Sequence, residues 1–323
     1  MFQRLCTILL IFAVSPGLPA LAQDARVLQY QSIPMMFNPA QTGDYEGDLR
    51  MMALYSHAKT DTAKNMVMNI SIDKSFGKDN KWAVGLNYMR SGYSDFDMSG
   101  GYLGASVAKA FQLDKENNHR LRVGLQLSWL SGKVDESKGA YDHLLDVNAF
   151  RYLPKTGHYK NTADFLNAAV GVKYQYVKDA VRFESGVGVN NIIHPNYVIM
   201  NEGKYAKRLR VSTSSLFQYQ VNQGNAFRIE HYSWKEGLYL RAYDPEEPDV
   251  NIHESFYSLS WIRDWGKTSL AAGLNSRAWK TVGAIVNYRF APGWGIGLGY
   301  ELPLYKKYYD LSRFEISATF QPF

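Results

Sequence analysis

From Arg120 to Trp129 the chain alternates strictly, with Leu121, Val123, Leu125, Leu127 and Trp129 on one side and Arg120, Arg122, Gly124, Gln126 and Ser128 on the other. A period of two sends successive side chains to opposite faces of a β-strand. The pattern returns in Trp82, Val84, Leu86 and Tyr88, and in Leu166, Ala168, Val170, Val172, Tyr174 and Tyr176 set against Asn167, Gly171, Lys173 and Gln175. Late in the chain it reappears in Val282 to Phe290 and in Trp294, Ile296, Leu298 and Tyr300 against Gly295, Gly297, Gly299 and Glu301. One wholly apolar face and one polar or small face suit a strand held between lipid and a wet lumen. A soluble antiparallel sheet with one solvated face alternates in the same way. Three features favour the membrane: many segments run to about ten residues rather than the usual five or six; aromatics close the apolar faces at Trp82, Trp129, Tyr176 and Trp294; and no helical segment offers to cover a soluble sheet.

Fifteen segments carry the pattern: 49–56, 65–74, 82–90, 100–113, 120–130, 166–177, 181–193, 208–219, 225–233, 237–243, 254–263, 268–274, 279–290, 293–302 and 311–320. Bacterial single-chain barrels have an even number of strands, short turns at the periplasmic side and long loops outside. Counting forward puts 131–165 and 194–207 outside and 178–180 inside; counting back from the end puts 303–310 outside and Ala291-Pro292 inside. The two phases clash only across 225–243. Reading that stretch as one strand with a bulge between Ser233 and Gly237 restores both. The expectation is an all-β, antiparallel up-and-down transmembrane barrel of about 14 strands over residues 49–323, with N- and C-termini periplasmic.

The first residues place this barrel in an envelope. Arg4 precedes an apolar run from Leu5 to Val14, then Pro16, Gly17 and Ala20-Leu21-Ala22. This is the form of a secretory signal, so residues 1–22 are expected to be removed and the mature chain to begin near Gln23. The single cysteine, Cys6, lies within that signal, leaving the mature chain no disulfide, thiolate nucleophile or lipid-anchored cysteine. Removing Arg4 leaves 35 of the 36 basic residues against 30 acidic ones, spread without runs, which gives nucleic-acid binding little support. Length, 323 residues, decides between two soluble domains and one large barrel in neither direction. Composition does more: 14% aromatic residues, 23 of them Tyr, with abundant Gly and a slightly polar mean hydropathy, fit aromatic girdles around a polar interior.

Residues 23–48 precede the first strand and carry no strand pattern; they are expected to be a periplasmic N-terminal segment or to plug the barrel mouth. Asn38-Pro39 favours an extended or turn conformation there. An irregular segment at a barrel entrance is well placed to dock a partner, which makes Phe37, Asn38, Pro39, Ala40 and Gly43 candidate partner-binding residues; closing the lumen is the alternative use. The 131–165 stretch holds Asp135, Glu136, His143, Asp146 and His158, and long loops of this kind bind something or are disordered. His143 and Asp146 have the spacing of two ligands on a helical turn but lack a third, and Asp244 to Asp249 reads as an acidic, Pro-bounded turn rather than a calcium loop. No metal, cofactor or catalytic residue is expected, and no nucleophile motif is present.

The mature N-terminus also carries a resemblance. Gln29-Tyr30, then Met36-Phe37-Asn38-Pro39-Ala40-Gln41-Thr42-Gly43, then Gly47-Asp48-Leu49 and a first strand ending in Leu54-Tyr55 resemble the PorP/SprF family, outer-membrane components of the type IX secretion system of Bacteroidetes. The similarity continues through the Trp82 to Tyr88 strand and His194-Pro195-Asn196. Members commonly carry Gln-Trp-Val after the first strand; Ser56-His57-Ala58-Lys59 stands here instead, the mark of a divergent member. The resemblance implies a non-enzymatic role in protein export or gliding motility. Its implied partners are a periplasmic ring lipoprotein, a peptidoglycan-binding protein, and the C-terminal signal domain of an exported substrate or surface adhesin, with outer-membrane lipid around the barrel. A passive porin and a lipid-modifying barrel enzyme are the competing readings.

Overall fold

The computed structural model describes residues 27–59, 64–77, 81–93, 98–135, 160–193, 196–197, 205–206, 209–238, 252–278, 280–291, 293–304 and 312–322. The expected signal at 1–22, most of the 131–165 loop with His143, Asp146 and His158, and the 244–249 turn lie outside them. Fourteen long strands run through the described residues: β1 Leu49–Lys59, β2 Lys64–Phe76, β3 Trp82–Tyr93, β4 Met98–Gln112, β5 His119–Asp135, β6 Lys160–Lys178, β7 Val181–Asn190, β8 Leu209–Asn222, β9 Asn225–Leu238, β10 Ile252–Asp264, β11 Ser269–Arg277, β12 Thr281–Ala291, β13 Trp294–Pro303 and β14 Ser312–Phe320. Each pairs antiparallel with the next, and β14 closes on β1 from Met51↔Phe320 to Lys59↔Ser312. Closure matters physically: lipid offers no hydrogen-bond partner, so a spanning sheet cannot keep a free edge. A two-residue ladder, Asn196–Tyr197 with Tyr205–Ala206, stands apart between β7 and β8.

One mouth carries the connections 77–81, 113–118, 179–180, 223–224, 265–268 and 292–293, none longer than six residues; the opposite mouth carries 60–63, 94–97 and 278–280 together with all the long ones. We call them the turn mouth and the loop mouth. Gln223-Gly224 is a two-residue hairpin in which Gly224 has φ +90° and a Cβ would meet the Asp264 carbonyl oxygen at 2.5 Å, so only glycine fits. β1 starts and β14 ends at the turn mouth. β5 and β6, at 17 and 19 residues, exceed the about 9–11 needed to cross a bilayer. Their surplus, Ser131–Asp135 paired with Lys160–Asp164, rises at the loop mouth.

The alternation decides which face meets lipid. Leu125, Leu127, Leu166, Leu274 and Leu298 point outward and exposed, whereas Arg122, Gln126, Asn167, Lys173 and Glu301 on the other parity are buried inside. Phe76, Trp82, Phe111, Trp265, Phe290 and Trp294 form an outward girdle near the turn mouth. The Lys109 ammonium sits 4.6 Å over the Trp82 ring within it.

The count of fourteen agrees with the sequence, and so does the merged β9 as far as Leu238, residues 239–243 lying outside the described ones. The β8 ladder passes from Leu238 to Glu236 and omits Gly237, a bulge at the far end of the expected window. Pairing with β10 is unbroken from Asn225 to Glu236. Apolar residues change face earlier because Tyr232 and Trp234 point into the lumen and are buried there.

Candidate functional site

What buries Tyr232 and Trp234 is the chain's own N-terminal segment. Residues 27–43 lie inside the barrel, nearly all fully buried. They fold as three single turns, Tyr30–Ser32, Pro34–Phe37 and Pro39–Gln41, with Pro opening the second and third, where its missing N–H is no loss. The Asn38 side chain caps the third turn by accepting from the Ala40 N–H at 2.9 Å and donates to the Val172 carbonyl of β6 at 3.0 Å. Tyr30 stacks on Tyr232 with centroids 5.3 Å apart and meets Phe37, Trp234 and Phe256 edge-on at 4.8, 5.7 and 4.9 Å. This aromatic knot belongs to an apolar cluster inside the barrel that also takes in Val27, Leu28, Ile33 and Leu54.

Elsewhere the wall holds the segment by its main chain. Glu315 accepts from the Leu28 and Gln29 N–H groups at 2.6 and 2.8 Å. Arg277 donates to the Val27 carbonyl and the Tyr30 hydroxyl, and pairs with Glu254 and Glu301. Arg210 donates to the Met36 carbonyl at 3.0 Å, and Arg122 to the Ala40 and Thr42 carbonyls at 3.2 and 2.6 Å. The Gly43 N–H donates to Asp73, whose carboxylate also takes the Arg50 guanidinium at 2.7 Å. Each of these bonds has a charged partner and is stronger than its neutral counterpart. Lys173 bridges Asp44 to Glu184. Burial alone would raise the Asp44 carboxyl, yet Lys173 and Arg122 beside it hold it below the ordinary carboxylate range. At the exit of the segment, burial and then the Asp73 charge push the Tyr45 phenol up to about 12.

Glycines on the inner wall make room. A Cβ at Gly124 would lie 2.3 Å from the Pro39 carbonyl carbon, one at Gly188 2.2 Å from the Phe37 oxygen, and one at Gly171 against the Asn38 side chain. Gly43 itself sits at φ +68° with its Cβ position 2.2 Å from Ala83. At the turn mouth a polar recess of about 420 Å³ lies between Gln218, Gln220, Ala226, Ile262 and Asp264.

All five candidate partner-binding residues, Phe37, Asn38, Pro39, Ala40 and Gly43, therefore come together, and all are buried against β2 to β9. Their atoms are taken up by contacts with the inner wall. Of the 23–48 segment, residues 27–43 lie inside the barrel against its inner wall. Sequence reasoning did not single out Arg50, Asp73, Arg122, Arg210, Arg277 or Glu315. Their signal was their parity, a charge on the lumen side of a strand, repeated beside glycines of that same side.

A family model described as type IX secretion system membrane protein PorP/SprF matches residues 20–320. The chain belongs to the PorP/SprF family. As a PorP/SprF protein with a closed antiparallel barrel it is integral to the outer membrane. A comparison with curated proteins returns no significant match. Among solved structures, the Ralstonia pickettii toluene transporter TbuX is similar in fold at a TM-score of 0.53 with 11% identity, over 94% of this chain and 96% of that one. A Pseudomonas aeruginosa FadL homologue gives 0.48 with 9% identity, over 88% and 92%. At such identities the likeness is one of fold alone.

Proposed function

We propose that this PorP/SprF barrel is a non-enzymatic part of the type IX secretion and gliding machinery whose lumen is kept shut by its own N-terminal segment. The family match over residues 20–320 carries the proposal. The barrel's turn mouth faces the periplasm, where a ring lipoprotein and a peptidoglycan-binding protein engage it. The loop mouth faces outward and receives the C-terminal signal domain of a secreted or surface-anchored protein. Short turns inside and long loops outside are the usual arrangement of outer-membrane barrels. The buried, charge-anchored segment argues against a passive porin, which needs a water-filled passage. The experiment is a deletion strain: proteins carrying C-terminal signal domains should accumulate in the periplasm, and the barrel purified from wild-type membranes should bring periplasmic ring components with it. Normal surface display of every such protein in the deletion strain would overturn the proposal.

A further inference from the structure

The lipid-facing side of the barrel carries charge of one sign at the turn mouth. In the two outward positions of each strand nearest that mouth, the ionised side chains among the described residues are Lys74, Lys109, Lys178 and Arg263, with no Asp or Glu between them. A cation on the lipid face is costly at the bilayer midplane and tolerated only towards the interface. Two of the four share one patch. Trp82 on β3 pairs with Lys109 on β4, and Lys74 on β2 pairs with Val84, the next outward residue of β3. Lys74 and Lys109 therefore flank β3 from its two sides, two strand spacings or about 10 Å apart.

Both lysines are rooted one outward position inside the aromatic edge formed by Phe76, Trp82 and Phe111. Their stems cover apolar wall while their ammoniums reach the level of the girdle. The Lys109 ammonium is held there, 4.6 Å over the Trp82 ring and 5.2 Å over the Phe111 ring, by the negative ring faces. Leaning over Trp82 brings it onto β3, towards Lys74. Deeper along the same strands the outward positions are Ile72, Val84 and Val107, all apolar and exposed. Cations at the girdle above an aliphatic wall follow the order in which a phospholipid presents its phosphate and its acyl chains.

We propose that Lys74, Trp82 and Lys109 form a binding site for the headgroup of an anionic glycerophospholipid, its phosphate between the two ammoniums and its acyl chains along Ile72, Val84 and Val107. At the level of the girdle, the anion within reach is one carried by a lipid. Two cations without a carboxylate suit a headgroup of net negative charge such as phosphatidylglycerol, whereas a zwitterionic headgroup brings its own ammonium into the patch. A single phosphodiester matches the two ammoniums; the two phosphates of lipid A ask for more cations.

Native mass spectrometry tests this on the full chain, released from detergent after incubation with equimolar phosphatidylglycerol, phosphatidylcholine and lipid A. The wild type should retain phosphatidylglycerol in preference to the other two. Lys74→Gln and Lys109→Gln should each weaken that retention about fivefold, the worth of one basic residue beside an anionic headgroup, and the double variant should lose the preference. Lys109→Arg, which keeps the charge, should keep it, and so should Lys178→Gln, which lies outside the patch. Heat-modifiable migration on gels identifies the variants that have folded, and the comparison of lipids on the wild type needs no variant. Equal retention of phosphatidylglycerol and phosphatidylcholine by the wild type would overturn the proposal. So would a preference for lipid A, an undiminished preference in the double variant, or a loss with Lys178→Gln as large as with Lys109→Gln.

Discussion

At Gly124 the inner wall and the segment meet backbone to backbone, and a side chain there has nowhere to go. The Cβ of Gly124→Val would stand 2.3 Å from the Pro39 carbonyl carbon and 2.4 Å from the Ala40 nitrogen. Forcing extra carbon into a packed interior costs about 1–3 kcal/mol. Here the cost falls on the segment's seat, because the barrel ladder on either side of Gly124 is continuous. Gly124→Val is expected to loosen residues 38–43 and give intermittent ion current in planar bilayers, whereas Leu125→Ala, which trims a lipid-facing residue, leaves the current at the wild-type level. Equal currents from both variants would mean that Gly124 does not seat the segment. The sequence offered Gly124, Gly171 and Gly297 only as small members of a polar face. A glycine facing water and a glycine facing a packed chain are written with the same letter, so the occupant they serve was not legible.

The strands were legible, because each repeats one requirement, apolar out and polar in, over about ten residues. The segment of residues 27–43 repeats nothing. Its partners lie far away in sequence, Leu28 with Glu315 and Asn38 with Val172, and no local pattern records them. The same holds for Tyr232 and Trp234, whose inward aromatic rings looked like a change of register until Tyr30 and Phe37 appeared against them. A pH test belongs to this element. Asp44 is held below its ordinary range in the folded chain, so its contribution is complete above the unfolded carboxylate value of about 4 and is lost as pH falls towards the folded one. The difference in melting temperature between wild type and Asp44→Asn should be constant from pH 8 to 5 and shrink below about pH 4. A difference that instead vanishes between pH 8 and 6 would remove the Lys173 pair from the set of contacts that seat the segment.

For the whole molecule, the alternation, the even strand number and the asymmetry of turn and loop lengths together gave the barrel and its closure. They could not say what the barrel contains, because an open lumen and a filled one ask the same polarity of the inner face. In the interior, carboxylates and guanidiniums of the wall bond to the main chain of residues 27–43, and on the proposed function this leaves no water-filled passage. Single-channel recording of the purified full chain in planar bilayers tests that closure most directly, with a chain lacking residues 27–43 as the control that opens. The full chain should insert without steady conductance and the shortened chain should conduct; a steady, ohmic current from the full chain would contradict the closed barrel.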